Sequence, residues 1–162
     1  MCEGARVPFF MRRAALTTIV PALFFVSCTG FPPGWSGAKR IAPADGVSGA
    51  WIGTWHSETN GHSGGLRCVA QRHGTESWQF RYRASWAKIL CAGFTMEGTV
   101  NPDGAGGYLV TGSKDLGKTF GGVFTTSGTI REGTFKARYR AKLDNGTMEM
   151  VRLNSATRSP DK

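Results

Sequence analysis

An all-β fold, a small eight-stranded antiparallel up-and-down barrel, is what this sequence predicts, with a two-sheet β-sandwich as the alternative. Three observations predict it. Apolar and polar residues alternate over eight short runs, each bounded by turn residues. No helical period extends beyond a turn or two. Glycine is abundant, 23 of 162 residues, and several glycines fall inside the runs. Bends and bulges at such positions supply the curvature that closes a sheet.

The first run covers residues 51–57, with Trp51, Gly53 and Trp55 on one face. The second, 66–73, turns Leu66, Cys68 and Ala70 inward. The third, 78–86, is the clearest: Trp78, Phe80, Tyr82, Ala84 and Trp86 share one face, while Gln79, Arg81, Arg83 and Ser85 share the other. That pattern belongs to a half-buried antiparallel strand with a wet outer side. Residues 89–100 form the fourth run, with Gly93 and Gly98 as bends, and Asn101-Pro102-Asp103-Gly104 turns into the fifth at 108–113. Residues 121–130 are the sixth. In the seventh, 134–141, Phe135, Ala137 and Tyr139 alternate with Lys136, Arg138 and Arg140. Asp144-Asn145-Gly146 reads as a type I′ hairpin turn into the eighth, 147–153, because Asn-Gly tolerates positive φ. Sequential short strands of this kind close into a barrel or split into two packed sheets.

Trp51-Ile-Gly-Thr-Trp55 in the first strand, together with Arg152 in the last, resembles the Gly-x-Trp strand and late arginine of calycin-type barrels, the lipocalins and their relatives. The resemblance covers the two ends of the domain. It implies that Gly53 and Trp55 meet Arg152 where the first and last strands pair, the arginine stacking on the indole as a cation–π contact of about 0.5–2 kcal/mol.

Ahead of the domain, Met11-Arg12-Arg13 supplies a positive start and residues 14–26 an apolar run, too short to cross a bilayer as a helix of about 20 residues. Phe25-Val26-Ser27-Cys28 resembles the lipobox of bacterial lipoproteins, with Phe25 where leucine is usual. The resemblance implies lipidation of Cys28 and a membrane partner through that anchor. Simple cleavage near Ser27, giving a secreted protein, is the alternative. Translation is expected to begin at Met11. Residues 31–49, rich in Pro, Gly, Ser and Ala, read as a flexible tether. The expected organisation is a signal region at 1–27, a tether at 28–49, a barrel domain at 50–155 and a polar tail at 156–162.

Only Cys68 and Cys91 fall within the domain. An exported protein meets an oxidising compartment, so the two are expected to pair, adding about 2–4 kcal/mol. If export is wrong, two buried thiols are the better reading. Twenty Lys and Arg face eleven Asp and Glu, a formal net charge of +9. A basic surface favours anionic partners, and export turns that expectation from nucleic acid towards anionic envelope components. Arg81, Arg83, Lys136, Arg138 and Arg140 are the candidate basic face, provided that their strands lie together. A solvated surface is the plainer reading.

The aromatic face of Trp51, Trp55, Trp78, Phe80, Tyr82 and Trp86 either lines a pocket for a small apolar ligand or fills the core. Short strands and large side chains favour filling. His56, Glu58 and His62 could hold a metal or act as acid and base, but Asn60-Gly61 and Gly64-Gly65 mark the segment as a polar loop. Gly112-Ser-Lys-Asp-Leu-Gly-Lys-Thr119 matches a phosphate loop in letters only, since Phe120-Gly121-Gly122-Val123 leads to a strand and not a helix. The acids are few and scattered, and no Gly-x-Ser-x-Gly elbow occurs. The sequence therefore points to a binding domain without cofactor or metal rather than an enzyme. A protein-interaction or inhibitor module acting through a rim loop such as 59–65 is the alternative.

Overall fold

The computed structural model describes residues 30–40, 45–87, 90–118 and 121–153. The signal region, Cys28, Met11 and the polar tail lie outside these residues. A short helix, α1 (Trp35–Ala38), precedes eight strands: β1 (Gly49–Ser57), β2 (Ser63–His73), β3 (Ser77–Trp86), β4 (Leu90–Pro102), β5 (Tyr108–Asp115), β6 (Val123–Arg131), β7 (Thr134–Arg140) and β8 (Asn145–Arg152). Each strand pairs antiparallel with the next, and β8 pairs back onto β1 to close the barrel. Closure leaves no sheet edge unpaired, which a sandwich would not achieve.

Strand period explains the elements. In β7, Phe135, Ala137 and Tyr139 are buried while Lys136, Arg138 and Arg140 are exposed. In β3, Trp78, Phe80 and Tyr82 are buried between half-buried polar neighbours. Where β1 and β8 press together only glycine fits: a Cβ on Gly53 would stand 1.9 Å from the Glu149 carbonyl oxygen, and one on Gly146 1.9 Å from that of His56. This corrects the predicted hairpin. Asn145 and Gly146 are already strand residues, and the reversal occupies residues 141–144, where the Ala141 amide donates to the Asp144 carbonyl at 2.7 Å. Gly146 is there for the close approach across the seam.

Side chains fill the lower barrel. Val47, Trp51, Phe80, Met96, Val110, Phe135 and Met150 are almost wholly buried. Aromatic rings run upward in sequence of contact: Trp51 to Phe135 (6.2 Å), Phe135 to Phe80 (6.4 Å), Phe80 to Tyr82 (6.3 Å) and Tyr82 to Phe94 (5.3 Å). Residues 45–48 close the bottom. The Asp45 carboxylate accepts from the Val47 amide (2.9 Å), the Ser48 amide (2.7 Å) and the Ser48 hydroxyl (2.6 Å), and the Trp51 indole N–H donates to the Val47 carbonyl at 3.0 Å.

Part of the predicted tether is packed structure. Trp35 and Ala38 of α1 are buried against Ala50 and Val69 on the outside of β1 and β2, with Ile52 and Leu153 beside them. The indole supplies the apolar surface that the Pro- and Gly-rich composition of this segment obscures.

Candidate functional site

Above the filled half, the barrel opens. The β1–β2, β3–β4, β5–β6 and β7–β8 connections lie at one end, and there a cavity of about 350 Å³ sits between the strands. Its walls are Trp55, Leu66, Tyr82, Ala84, Trp86, Phe94, Phe124, Tyr139 and Met148, and its polar edge is Asn60, His62 and Asp144. The strand alternation places these side chains: Trp55 lies on the inner face of β1, Ala84 and Trp86 on that of β3, Phe94 on β4, Phe124 on β6, Tyr139 on β7 and Met148 on β8. Trp55 and Trp86 meet edge to face at 6.5 Å, Phe94 meets Phe124 at 5.1 Å, and Phe124 stacks on Tyr139 at 5.6 Å. The Trp55 indole N–H is held by the Ser85 carbonyl at 3.1 Å, which fixes the ring.

One polar network braces the mouth. The Tyr139 hydroxyl donates to Asp144 Oδ2 at 3.0 Å, and the Ser57 hydroxyl donates to Asp144 Oδ1. Ser57 Oγ in turn accepts from the Thr59 and Asn60 amides, both at 3.2 Å. Burial, and then the bond to Asp144, raise the Tyr139 phenol, so it stays protonated as the donor. Among the described residues no lysine or arginine lines the cavity, although the chain carries a net charge of +9. The described walls are apolar and aromatic, with the Asp144 carboxylate at the rim.

The six predicted aromatic residues divide. Trp51, Trp78 and Phe80 are core; Tyr82 forms the floor; Trp55 and Trp86 line the mouth. Phe94, Phe124, Tyr139 and Met148 were not among the candidates, although the inward positions of their strands carried the signal. The barrel-closing group needs a correction. β1 and β8 do pair, but Arg152 lies across from Trp51, while Gly53 faces Met150 and Trp55 faces Met148. The Gly-x-Trp that reaches the arginine is Gly49-Ala50-Trp51, which has the same spacing as Gly53-Thr54-Trp55. Among the described residues no cation–π contact joins Arg152 to a tryptophan; those present are Arg67 over Phe31 (4.5 Å) and Arg72 over Trp78 (5.4 Å).

The expected disulfide is also corrected. Cys68 and Cys91 are free. Cys68 faces inward beside Tyr82, whereas Cys91 pairs in register with Ser85 on the outer face and its sulfur accepts from Arg83 at 3.0 Å. Cβ vectors on opposite faces of a sheet cannot be bridged without moving the backbone. Burial raises both the Cys68 thiol and the Tyr82 phenol, which keeps both neutral.

The single basic face is corrected by topology: β3 and β7 stand four strands apart around a closed barrel, so Arg81 and Arg83 lie on the side opposite Lys136, Arg138 and Arg140. On the β7 side two of the three cations are paired. Arg138 donates to both oxygens of Glu58 at 2.7 Å, and Lys136 meets Glu149 at 3.1 Å. Glu58 is thereby tied to β7, His62 edges the mouth and His56 is exposed on β1. Among the described residues no group of three or more His, Cys, Asp or Glu side chains could hold a metal. Residues 112–115 of the phosphate-loop letters are strand, and Thr119 lies outside the described residues.

No protein-family model and no curated protein matches this chain. Among solved structures, a redesigned β-barrel, mFAP1, bound to DFHBI, is similar in fold: 12% identity, TM-score 0.50, over 67% of this chain and 96% of that one. A second, EF1p2_mFAP2b bound to DFHBI, aligns at 11% identity and TM-score 0.49 over 71% and 98%. At such identity the likeness to the first speaks to the fold alone, a β-barrel.

Proposed function

We propose that this chain is an exported, envelope-anchored bacterial binding protein that takes one small apolar ligand in the barrel mouth, and that it is not an enzyme. The observation that carries the reading is the cavity itself, about 350 Å³ with aromatic walls above a filled lower barrel. Ligand sites are concave, mostly apolar and roughly 300–1,000 Å³, with a few polar groups that set orientation. That mFAP1, a barrel of similar fold, is bound to DFHBI accords with it. The Asp144 carboxylate at the rim, with no lysine or arginine among the described lining residues, favours a neutral or cationic ligand over an anion. Export and anchoring rest on the Arg12-Arg13 start, the apolar run and the lipobox-like Phe25-Val26-Ser27-Cys28.

A neutral, environment-sensitive naphthalene dye tests the reading. Saturable one-to-one binding with quenching of tryptophan fluorescence is expected. Ala84→Phe, which fills the cavity from β3, is expected to weaken binding by tenfold or more, about 1.4 kcal/mol. Binding that ignores Ala84→Phe, or no binding, contradicts it.

A second reading, a protein-interaction module, is favoured by Leu90, Val123 and Leu143. These large apolar side chains are 48%, 58% and 63% exposed at the mouth end. The predicted rim loop at 59–65 is polar, so a partner would engage these residues instead.

A further inference from the structure

We propose that the outer face of β2 and β3 carries an anion site, distinct from the mouth, that takes a phosphate-type oxyanion between Arg67 and Arg83. The two arginines are direct cross-strand partners, and Arg81 follows two residues before Arg83 on the same face. Like charges placed directly opposite one another on a sheet repel. Among the described residues no carboxylate relieves the repulsion: the three ion pairs there involve Asp103, Glu149 and Glu58, none of which touches this cluster. Arg81 donates to the amide oxygens of Gln79 (3.1 Å) and Gln71 (2.8 Å), and Arg83 to the Cys91 sulfur. The Nε atoms of Arg67, Arg81 and Arg83 are all sealed from water with no acceptor among the described residues. A buried donor without a partner costs roughly 1–3 kcal/mol, more when charged.

A cleft opens beside this cross-strand pair. It holds about 110 Å³ and is lined by Ile52, Gly65, Arg67, Arg83 and Ser85, with Gly53 and Leu66 at its base. The Ser85 hydroxyl makes only a long contact, 3.4 Å, to the Gly65 carbonyl, so it can turn to an oxyanion. Two arginines and a hydroxyl lining one small cleft suit a tetrahedral oxyanion, because a guanidinium that turns from the weak sulfur acceptor of Cys91 can meet phosphate with two parallel N–H donors.

The segment before α1 frames the cleft. The Phe31 ring lies against the Arg67 guanidinium at 4.5 Å, and Gly30 passes so near Arg83 that a Cβ there would be 2.9 Å from Nη2. The oxyanion has two sources, free phosphate or the phosphodiester of a lipid head group. The second rests on the anchoring reading, in which the chain works at a membrane surface.

The test uses the full chain carrying Cys28→Ser, so that no acyl group contributes. Inorganic phosphate is titrated while amide shifts are followed by NMR, and cosedimentation is measured with phosphatidylcholine vesicles with and without phosphatidylglycerol. Saturable shifts centred on Gly65, Arg67, Arg83 and Ser85 are expected, with affinity falling roughly tenfold or more in Arg67→Gln/Arg83→Gln. Arg138→Gln, which removes a charge from the opposite side, is expected to leave the affinity unchanged. Phosphate binding with phosphatidylglycerol-dependent sedimentation assigns the site to lipid head groups; phosphate binding without it assigns the site to a free oxyanion. Shifts scattered over the surface, equal losses in both variants, or binding of neither phosphate nor vesicles overturn the site.

Discussion

Cys68 and Cys91 show what a single position decides. Inward Leu66, Cys68 and Ala70 were legible from alternation in β2, and the same alternation in β4, where Phe94 and Met96 face inward, puts Cys91 outside. Counting cysteines obscured that parity. In the native protein Cys91 is expected to alkylate without reductant, while Cys68 reacts only after unfolding; mass spectrometry of the labelled barrel peptides reads both. A bridge resistant to alkylation would contradict the register of β4. Asp45 supplies a pH prediction. Partial burial pushes its carboxyl up, but the Ser48 hydroxyl and the Ser48 and Val47 amides outweigh this and hold it below the ordinary 3.8. A carboxyl depressed on folding contributes stability that is present above its unfolded value and is lost as pH falls through the folded one. Denaturant melts are therefore expected to show stability declining below about pH 4, with a smaller decline in Asp45→Asn. An unchanged acid profile in Asp45→Asn would remove this carboxylate from the closed end.

At the scale of elements, strands were most readable where a period of two survives in burial: β7 keeps it throughout and β3 as far as Tyr82. The ends of elements were less readable. Asn145-Gly146 has the letters of a hairpin turn, yet the glycine serves the β1–β8 contact, and one sequence pattern fits both uses. The same duplication hid the Arg152 partner, since Gly49-Ala50-Trp51 and Gly53-Thr54-Trp55 share a spacing and only the register separates them. The seam gives a direct prediction. Gly53→Ala places a Cβ 1.9 Å from a backbone oxygen that cannot rotate away, so a loss of about 1–3 kcal/mol or more is expected in urea unfolding. Gly37→Ala in α1 meets nothing within 4 Å and is expected to be neutral or stabilising by about 0.5–1 kcal/mol. Equal effects at the two sites would contradict a tight β1–β8 closure.

For the whole molecule, closure decides function in two ways. It sends β3 and β7 to opposite sides, splitting five basic residues that a linear reading could only group by charge. It also stacks the aromatic residues along an axis, so that the lower ones fill the barrel and the upper ones surround open space. Whether a ring is core or wall depends on its height in the barrel, which alternation alone does not encode. That is why Trp55 and Trp86 could not be separated from Trp51 and Trp78 by sequence. The barrel is closed, filled at one end and open at the other. The measurement that tests it most directly is an NMR shift map during titration with a small neutral aromatic such as indole. The expected result is saturable shifts at Trp55, Ala84, Trp86, Phe94, Phe124 and Tyr139, with Val47, Trp51 and Met150 unmoved. Shifts at the closed end or on the outer strands, with the mouth silent, would contradict it.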